Sequence, residues 1–344
     1  MSPALDAARI GRWAGRMSRP GPTAERAELE RVVAELRAAG ERALPIARRA
    51  GGFGAALPEQ APEARILVVD RPGWARLAAG SFASLLDDSA VGTGPGAGAR
   101  AGWSASAELA GLLAALSTRV LGQFDPYGSD EPGGRLALVA PNVLQIGATM
   151  PGDPADFRLW ICVHEQTHAL QFAAAPWLAG HIRRETSALM TELEQEGELA
   201  TVLEAIRSLP RGRPTLPDQG LGPLGALLSP TQRGRAAQLV ATMSLLEGHA
   251  DVTMDAVPIG LIPSRRRLRA RMTARRTSTR GRLLRRLLGL DAKLEQYRRG
   301  ADFVRAVRRT GSRALEPVWS GPHALPTPAE IDAPEDWLRR MSAT

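Results

Sequence analysis

Cysteine is almost absent from this sequence. Cys162 is the one cysteine among 344 residues, so no disulfide can form within the chain. The first 22 residues contain four arginines and no continuous apolar core, which is unlike a signal peptide. No apolar run reaches the roughly 20 residues of a membrane span. These absences predict a cytoplasmic protein without a membrane span.

Aromatic residues and lysine are also scarce. Aromatic residues make up 4% of the chain and Lys293 is its one lysine, so arginine carries nearly all of the positive charge. The formal net charge of +8 permits an acidic partner but does not identify one. Hydrophobic residues make up 44% of the sequence, which is enough for the core of one large domain or of two.

The most informative pattern lies in residues 153–176. His164, Glu165 and His168 have H-E-x-x-H spacing. Residues four apart on a helix lie one above the other, so both imidazoles would face one point. Two neutral imidazoles form half of a tetrahedral zinc site, and the glutamate can act as general base on a zinc-bound water. The motif therefore predicts a zinc hydrolase.

The flanking residues favour a helix around this motif. Asp153 is suited to cap its first turn, Pro154 suits the first helical position, and Pro176 would end it. Apolar residues recur with helical periodicity in line with both histidines, which predicts a buried helix. The alternative is a pair of hydrogen-bonded core histidines with no metal.

A catalytic zinc site needs a third protein ligand, with water in the fourth position. The metzincin pattern has a glycine three residues and a histidine six residues after its second histidine. Here those positions hold Gln171 and Ala174, which excludes that class. Glu247 is the strongest candidate, because it lies on an apolar face of a predicted helix where a lone charge would be costly to bury. Glu185 is the next candidate, followed by His181.

Asp251 follows Glu247 by one helical turn and shares its face. Two carboxylates there would repel each other unless a cation lay beside them. We expect Asp251 to accept the second N–H of a ligand imidazole, and Gly248 to let the two helices approach closely. The alternative is that both acidic side chains are exposed on the helix surface.

These residues carry a family resemblance. Residues 164–168, with Trp160 before them and Pro176-Trp177 after them, together with residues 247–255, resemble the zincin-like metalloprotease family of actinobacteria. Many of its members are described only by a general hydrolase class or by an association with the biosynthesis of a deazaflavin coenzyme. The resemblance extends from residue 65 to residue 337 and implies a zincin-like fold.

The Glu-x-x-x-Asp arrangement is also similar to that of gluzincins of the thermolysin type. Carried over to this chain, it makes His164, His168 and Glu247 the ligands of one zinc ion. Glu165 becomes the general base, and Asp251 orients a ligand from behind. One departure is the interval from His168 to Glu247, which is much longer here than in thermolysin-like enzymes.

The coarse pattern predicts a mainly helical α+β protein of zincin-like fold, with a small sheet beside the metal-binding helix. We expect an N-terminal helical segment at 1–64 and a hydrolase domain at 65–344, or one continuous domain. The proline-rich residues after 317 are expected to wrap around the rest. The predicted strands are residues 65–70 and 136–140, and the main helices are residues 23–39, 74–87, 108–124, 181–209 and 229–256.

An arginine-rich stretch supports a different function. A positive surface of this kind could bind nucleic acid or an anionic membrane surface, but no aromatic residues are interleaved for base stacking. A solvated face that pairs with acidic residues 192–198 is the simpler interpretation. The alternative to an enzyme is thus a zinc-stabilised, non-catalytic protein that binds acidic partners here. The stretch contains Arg265, Arg266, Arg267, Arg269, Arg271, Arg275, Arg276, Arg280, Arg282, Arg285 and Arg286.

The principal prediction is a zinc metallopeptidase that hydrolyses a peptide bond, with another amide as the alternative. The strand at residues 136–140 could pair with an extended peptide substrate. Cys162 lies about 200° round the helix from His164, so we expect a buried structural thiol. The group that stabilises the oxyanion stays open between His249, Tyr297 and His323, with a structural role favoured for His249.

Overall fold

The computed structural model describes residues 6–86, 99–128, 132–196, 201, 225, 227–277 and 290–343. Helices dominate and accompany one small sheet, as predicted. No helix among these residues combines the length and apolar character needed to cross a membrane. The strands are β1 (Arg65–Val69), β2 (Gly122–Asp125) and β3 (Arg135–Val139). The α-helices are α1 (Ala7–Met17), α2 (Arg26–Gly51), α3 (Arg71–Leu86), α4 (Ala99–Leu116), α5 (Ala140–Gly147), α6 (Pro154–Ala174), α7 (Trp177–Gln195), α8 (Pro230–Ala256), α9 (Arg265–Thr277), α10 (Leu290–Thr310), α11 (Pro328–Asp332) and α12 (Pro334–Ser342).

The sheet has the order β1-β3-β2. β1 and β3 are the two predicted strands and run parallel, with Arg65 opposite Arg135 and Val69 opposite Val139. β2 is antiparallel to β3 and was not predicted. The helix predicted for residues 108–124 ends at Leu116. Residues 122–124, the last of the predicted range, belong to β2 instead. β3 is therefore the central strand, and β2 is an edge strand.

Helix α6 lies in the main core and has the predicted boundaries. The Asp153 carboxylate accepts a hydrogen bond from the N–H of Ala155 at 2.8 Å, and Pro154 occupies the first turn. The helix is buried on most of its circumference, unlike an ordinary amphipathic helix. Cys162 is fully buried, and its surroundings raise the pKa of the thiol, chiefly through desolvation. The thiol thus has the predicted buried environment.

Helix α2 packs along α6 and shares its core. The amide of Gln166 donates to the carbonyl of Gly40 at 2.9 Å, which ties the two helices together. α2 does not end near residue 39 as predicted but continues through Pro45 to Gly51, where Gly52 closes it with φ of 61°. The local proline penalty is overcome by packing, because the last turns of α2 bury one face, with Ala43, Ile46 and Ala47 in the core. The predicted N-terminal segment therefore contributes a helix that packs directly on α6.

Helix α8 begins with the predicted capping box of Ser229 and Gln232. It packs against α6, and it crosses α10 at close range. A Cβ atom added to Gly248 would overlap the backbone of Gly300 and Ala301 in α10. The prediction that Gly248 brings α8 close to α6 is therefore wrong about the partner: the glycine serves the contact between α8 and α10.

The C-terminal residues form short helices rather than only wrapping around the core. Trp337 of α12 is fully buried, and its indole N–H donates to the carbonyl of Ala324 at 2.8 Å. Helix α7 ends at Gln195, earlier than predicted. In the glycine-rich stretch at 91–102, residues 91–98 lie outside the described residues and residues 99–102 belong to α4.

The crossing of α8 and α10 generates a stability prediction. Gly248→Ala should lower the free energy of unfolding by about 1–3 kcal/mol, because the added methyl group overpacks against backbone that cannot move aside. Gly234→Ala in the same helix is the matched control, since its Cβ would meet nothing within 4 Å. The control should be neutral or should stabilise by up to about 1 kcal/mol. Urea denaturation of the metal-free proteins measures both, and equal effects would contradict the assigned crossing.

Candidate metal centre

The H-E-x-x-H histidines and one glutamate converge at the contact between α6 and α8. The Nε2 atoms of His164 and His168 lie 3.2 Å apart. The carboxylate of Glu247 lies 3.5 Å from Nε2 of His164 and 3.9 Å from Nε2 of His168. Among the described residues, these three side chains place one donor atom each within 4.8 Å of one another. The spacing of 79 residues between His168 and Glu247 is closed by the packing of the two helices.

This arrangement fits a metal ion. Two imidazole nitrogens and one carboxylate oxygen form the donor set of a catalytic zinc site with three protein ligands. The side chains of His164, His168 and Glu247 are 19%, 14% and 26% exposed, so water can reach a fourth position. The two other candidate ligands predicted from the sequence are not part of this group of donor atoms. Glu185 is ion-paired with Arg235 of α8, and His181 lies against the ring of Trp177.

The Nδ1 atoms of both imidazoles contact polar groups behind them. Nδ1 of His168 lies 2.9 Å from the amide oxygen of Gln171, and Nδ1 of His164 lies 3.2 Å from the sulfur of Met254. If each Nδ1 carries the hydrogen, both Nε2 lone pairs face Glu247 and a metal ion. Sequence reasoning missed both residues. Gln171 had a detectable signal, since it follows His168 by three residues on the same face.

Gln171 is fully buried and has further contacts. Its amide nitrogen donates to the carbonyl of Leu246 at 2.8 Å and lies 3.0 Å from Nδ1 of His249. On its other side, Nε2 of His249 lies 2.8 Å from the carbonyl oxygen of Gly51. The metal-side imidazole of His168 is thereby connected through two buried side chains to the end of α2.

His249 has the structural environment favoured from the sequence. It is fully buried, and the rings of Phe53 and Trp319 meet it edge to face at 5.0 and 5.2 Å. Burial, reinforced by the nearby guanidinium of Arg308, lowers the pKa of His249 to about 3, so the ring is neutral. A buried neutral ring bonded to Gln171 is not placed to stabilise an oxyanion in a cleft. His323 is exposed, and the Tyr297 side chain lies outside the described residues.

Glu165 lies beside the donor group and against the edge strand. Burial raises the pKa of Glu165 to about 7; Glu247 acts in the same direction, whereas His164 and the backbone N–H of Phe124 oppose the shift. A Cβ atom on Gly122 would lie 2.6 Å from Cγ of Glu165, so only glycine leaves room for this carboxylate. A carboxyl group with a pKa near neutrality can both take up and release a proton.

The two histidines differ electrostatically in the metal-free protein. Burial tends to lower the pKa of His164, but the hydrogen bond with Glu247 and the charges of Glu165, Glu247 and Asp251 raise it to about 9. Burial also lowers the pKa of His168, and there it prevails over Glu247. Without a metal ion, a proton on His164 therefore balances part of the negative charge at the site.

That Asp251 accepts the second N–H of a ligand imidazole stays a prediction, although the Nδ1 atoms of His164 and His168 lie close to Met254 and Gln171. The carboxylate of Asp251 forms an ion pair of 3.0 Å with Arg269 of α9. Arg269 also binds Asp255 at 2.9 Å and lies 5.3 Å above the ring of Trp160. The negative charge of Asp251 favours the protonated form of both histidines, although burial still lowers the pKa of His168.

The arginine-rich stretch has structural contacts in its described part. Arg265 donates to backbone carbonyls at the end of α8, and Arg269 joins α9 to α8 and α6. The predicted pairing with acidic residues 192–198 is wrong for Glu192, which binds Arg235 at 3.0 Å. Exposed arginines in this part are Arg266, Arg267 and Arg271. The structure leaves undescribed Arg280, Arg282, Arg285, Arg286 and the side chains of Arg275 and Arg276.

A helix-borne His-Glu-x-x-His motif completed by a glutamate from a second helix is typical of zincins. The chain belongs to the zincin-like metallopeptidase family, whose model matches residues 6–338. This match confirms the family and the mainly helical zincin-like fold predicted from the sequence. Membership implies zinc binding, for which the three converging residues are suited.

A solved structure agrees with this assignment. A protein from Chloroflexus aurantiacus, described as “a putative hydrolase with a novel fold”, is 28% identical to the chain and has a TM-score of 0.66 against it. The match covers 99% of each chain. None of the curated proteins compared with the chain matches it. The family and this structure together support a hydrolase.

The electrostatics of the centre predict how zinc binding depends on pH. A metal ion needs the neutral imidazole, so zinc must displace the proton that His164 holds below its pKa of about 9. The apparent affinity should therefore rise by about tenfold per pH unit from pH 7 and level off near pH 9. Competition with a chromophoric chelator at several pH values measures this. Constant affinity between pH 7 and 9 would contradict the raised pKa of His164.

Proposed function

We propose that this protein is a zinc-dependent metallopeptidase. In the proposal His164, His168 and Glu247 hold one zinc ion per chain, and Glu165 is the general base. The observation that carries it is the convergence of three donor atoms within 4.8 Å beside a buried glutamate whose pKa is raised to about 7. A structural zinc site would instead be closed by four protein ligands.

The chemistry follows from the properties of these groups. A zinc ion held by His164, His168 and Glu247 would supply Lewis acidity for a carbonyl group and for water. Glu165 accepts the proton of the attacking water and returns it to the leaving amine, which its pKa near neutrality permits. Two neutral imidazoles and one carboxylate add a single negative charge, so the site stays electrophilic.

The edge strand supports a peptide as the substrate. β3 is paired on both sides, so the predicted pairing of residues 136–140 with substrate is wrong. β2 is the strand beside Glu165. The N–H of Val139 donates to the carbonyl of Leu121 at 2.9 Å, so the backbone groups of Gly122 and Phe124 point away from β3. The N–H of Phe124 interacts with Glu165, and an extended peptide could pair with the other outward backbone groups of this edge next to the zinc ligands.

Asp251 has a revised role in this proposal. Its carboxylate is held by Arg269, and it contributes negative charge behind the ligands rather than a hydrogen bond to an imidazole. The position of Arg269 between Asp251 and Asp255 partly neutralises that charge. The contacts of Arg265 and Arg269 also weaken the alternative that the arginine-rich stretch binds an acidic partner, because both side chains bind groups of this chain.

Substitution of Glu165, the proposed general base, distinguishes metal binding from catalysis. Glu165→Gln should keep about one zinc per chain and lose hydrolysis by about 100-fold to 10,000-fold, because the base is not a ligand. Glu247→Gln is the contrasting variant and should lose zinc as well as activity. Metal analysis and a peptide-library assay measure these outcomes. A wild-type protein that takes up no zinc would refute the proposal, as would full activity of Glu165→Gln.

The contact between β2 and Glu165 provides an independent test. Gly122→Ala should reduce kcat while zinc is retained, because the new methyl group would displace the carboxylate from below the metal site. A displacement of about 1 Å is expected to cost on the order of 100-fold. Gly111→Ala in α4 is the control, since its Cβ would meet nothing within 4 Å. Unchanged kcat in Gly122→Ala would contradict the assigned position of the base.

A further inference from the structure

We propose that Gln171 and His249 form a relay of hydrogen bonds that fixes the tautomer of His168 and thereby sets the affinity for zinc. The inference rests on the proposed function, because it concerns the same metal site. Neither residue is a ligand. Both act through His168 and are positioning residues.

The direction of each hydrogen bond follows from the two ends of the relay. The backbone carbonyl of Leu246 can only accept, so the group of Gln171 that faces it at 2.8 Å is the NH₂ end of the amide. The amide oxygen of Gln171 must then face Nδ1 of His168 at 2.9 Å. Nδ1 of His168 therefore carries the hydrogen, and its Nε2 lone pair is directed toward the metal ligands.

His249 is the next member of the relay after Gln171. The NH₂ group of Gln171 lies 3.0 Å from Nδ1 of His249, which must accept. Its Nε2 then carries the hydrogen and donates to the carbonyl of Gly51 at 2.8 Å. The guanidinium of Arg308 donates to the same carbonyl of Gly51. It lies 3.0 Å from Nε2 of His249 because both groups donate to that one oxygen, and no hydrogen bond joins them.

Reversal of the relay is opposed by its surroundings. If the amide of Gln171 flipped, its oxygen would face the carbonyl oxygen of Leu246, and two acceptors would meet in a fully buried place. His249 cannot turn readily either, because Phe53 and Trp319 pack against its ring. The His168 imidazole is thus held in the tautomer and orientation that zinc requires before the ion binds.

The first test measures zinc affinity of the metal-free proteins by chelator competition. Gln171→Met fills about the same volume but replaces the amide oxygen by a thioether sulfur, a much weaker acceptor, and should bind zinc about 10-fold to 100-fold more weakly. Gln171→Glu keeps an oxygen for the N–H of His168 but loses the donor to Leu246 and His249, so its zinc affinity should fall between those of Gln171→Met and the wild-type protein. His249→Phe preserves the aromatic packing but releases the amide, and should weaken binding by about 10-fold.

Gln166→Met is the matched control. Gln166 is also buried on α6, and it donates to Gly40 of α2 rather than contacting the donor group. The substitution Gln166→Met should therefore change the stability of the protein but not its zinc affinity. If Gln171→Met binds zinc as tightly as Gln166→Met does, the relay is overturned while the proposed function stands. If the wild-type protein takes up no zinc, the proposed function fails and this inference with it.

A second measurement does not depend on the metal. Long-range ¹H–¹⁵N correlation spectra of the metal-free wild-type protein should show His249 neutral with its hydrogen on Nε2. The signals of His249 are assigned by comparison with the spectrum of His249→Phe, in which they are missing. The opposite tautomer, with hydrogen on Nδ1, would reverse the direction of the relay and overturn the proposal whatever the zinc affinities of the variants.

Discussion

The contact between α6 and α8 is the constraint on which the candidate site depends. It brings the carboxylate of Glu247 within 4 Å of two imidazoles that come from another part of the chain. Without a cation, this proximity raises the pKa of His164 to about 9, and it adds to the burial that raises the pKa of Glu165 to about 7. A divalent cation would relieve both effects, because it replaces the proton on His164 and offsets the repulsion between carboxylates.

Local signals allowed the two central helices to be predicted. The cap at Asp153 and the capping box that begins with Ser229 define helix starts in a few neighbouring residues, and both are observed. β2 had no comparable signal. It is four residues long, begins with Gly122, and becomes a strand because β3 lies beside it. The length of α2 was missed for the same reason: tertiary burial outweighs the local cost of Pro45.

The sequence identified the side chains that converge but not the groups behind them. Adjacent residues on a helix point about 100° apart, so Gly248 could not face α6 together with Glu247, and it faces α10 instead. Asp251 shares a helix face with Glu247, but whether it reaches an imidazole depends on Arg269, which comes from α9. Such competition between partners from distant elements is not visible in helical periodicity.

The groups behind the two histidines differ chemically from the carboxylate predicted there. The amide of Gln171 and the sulfur of Met254 are neutral, and the nearby carboxylate of Asp251 is held by Arg269. A carboxylate acceptor would make a ligand imidazole more basic, whereas a neutral acceptor orients the ring without adding charge. Zinc held by two such imidazoles and Glu247 would keep a net positive charge. The buried layer behind the ligands therefore supports both requirements of a hydrolytic centre: a fixed geometry, and an electrophilic metal.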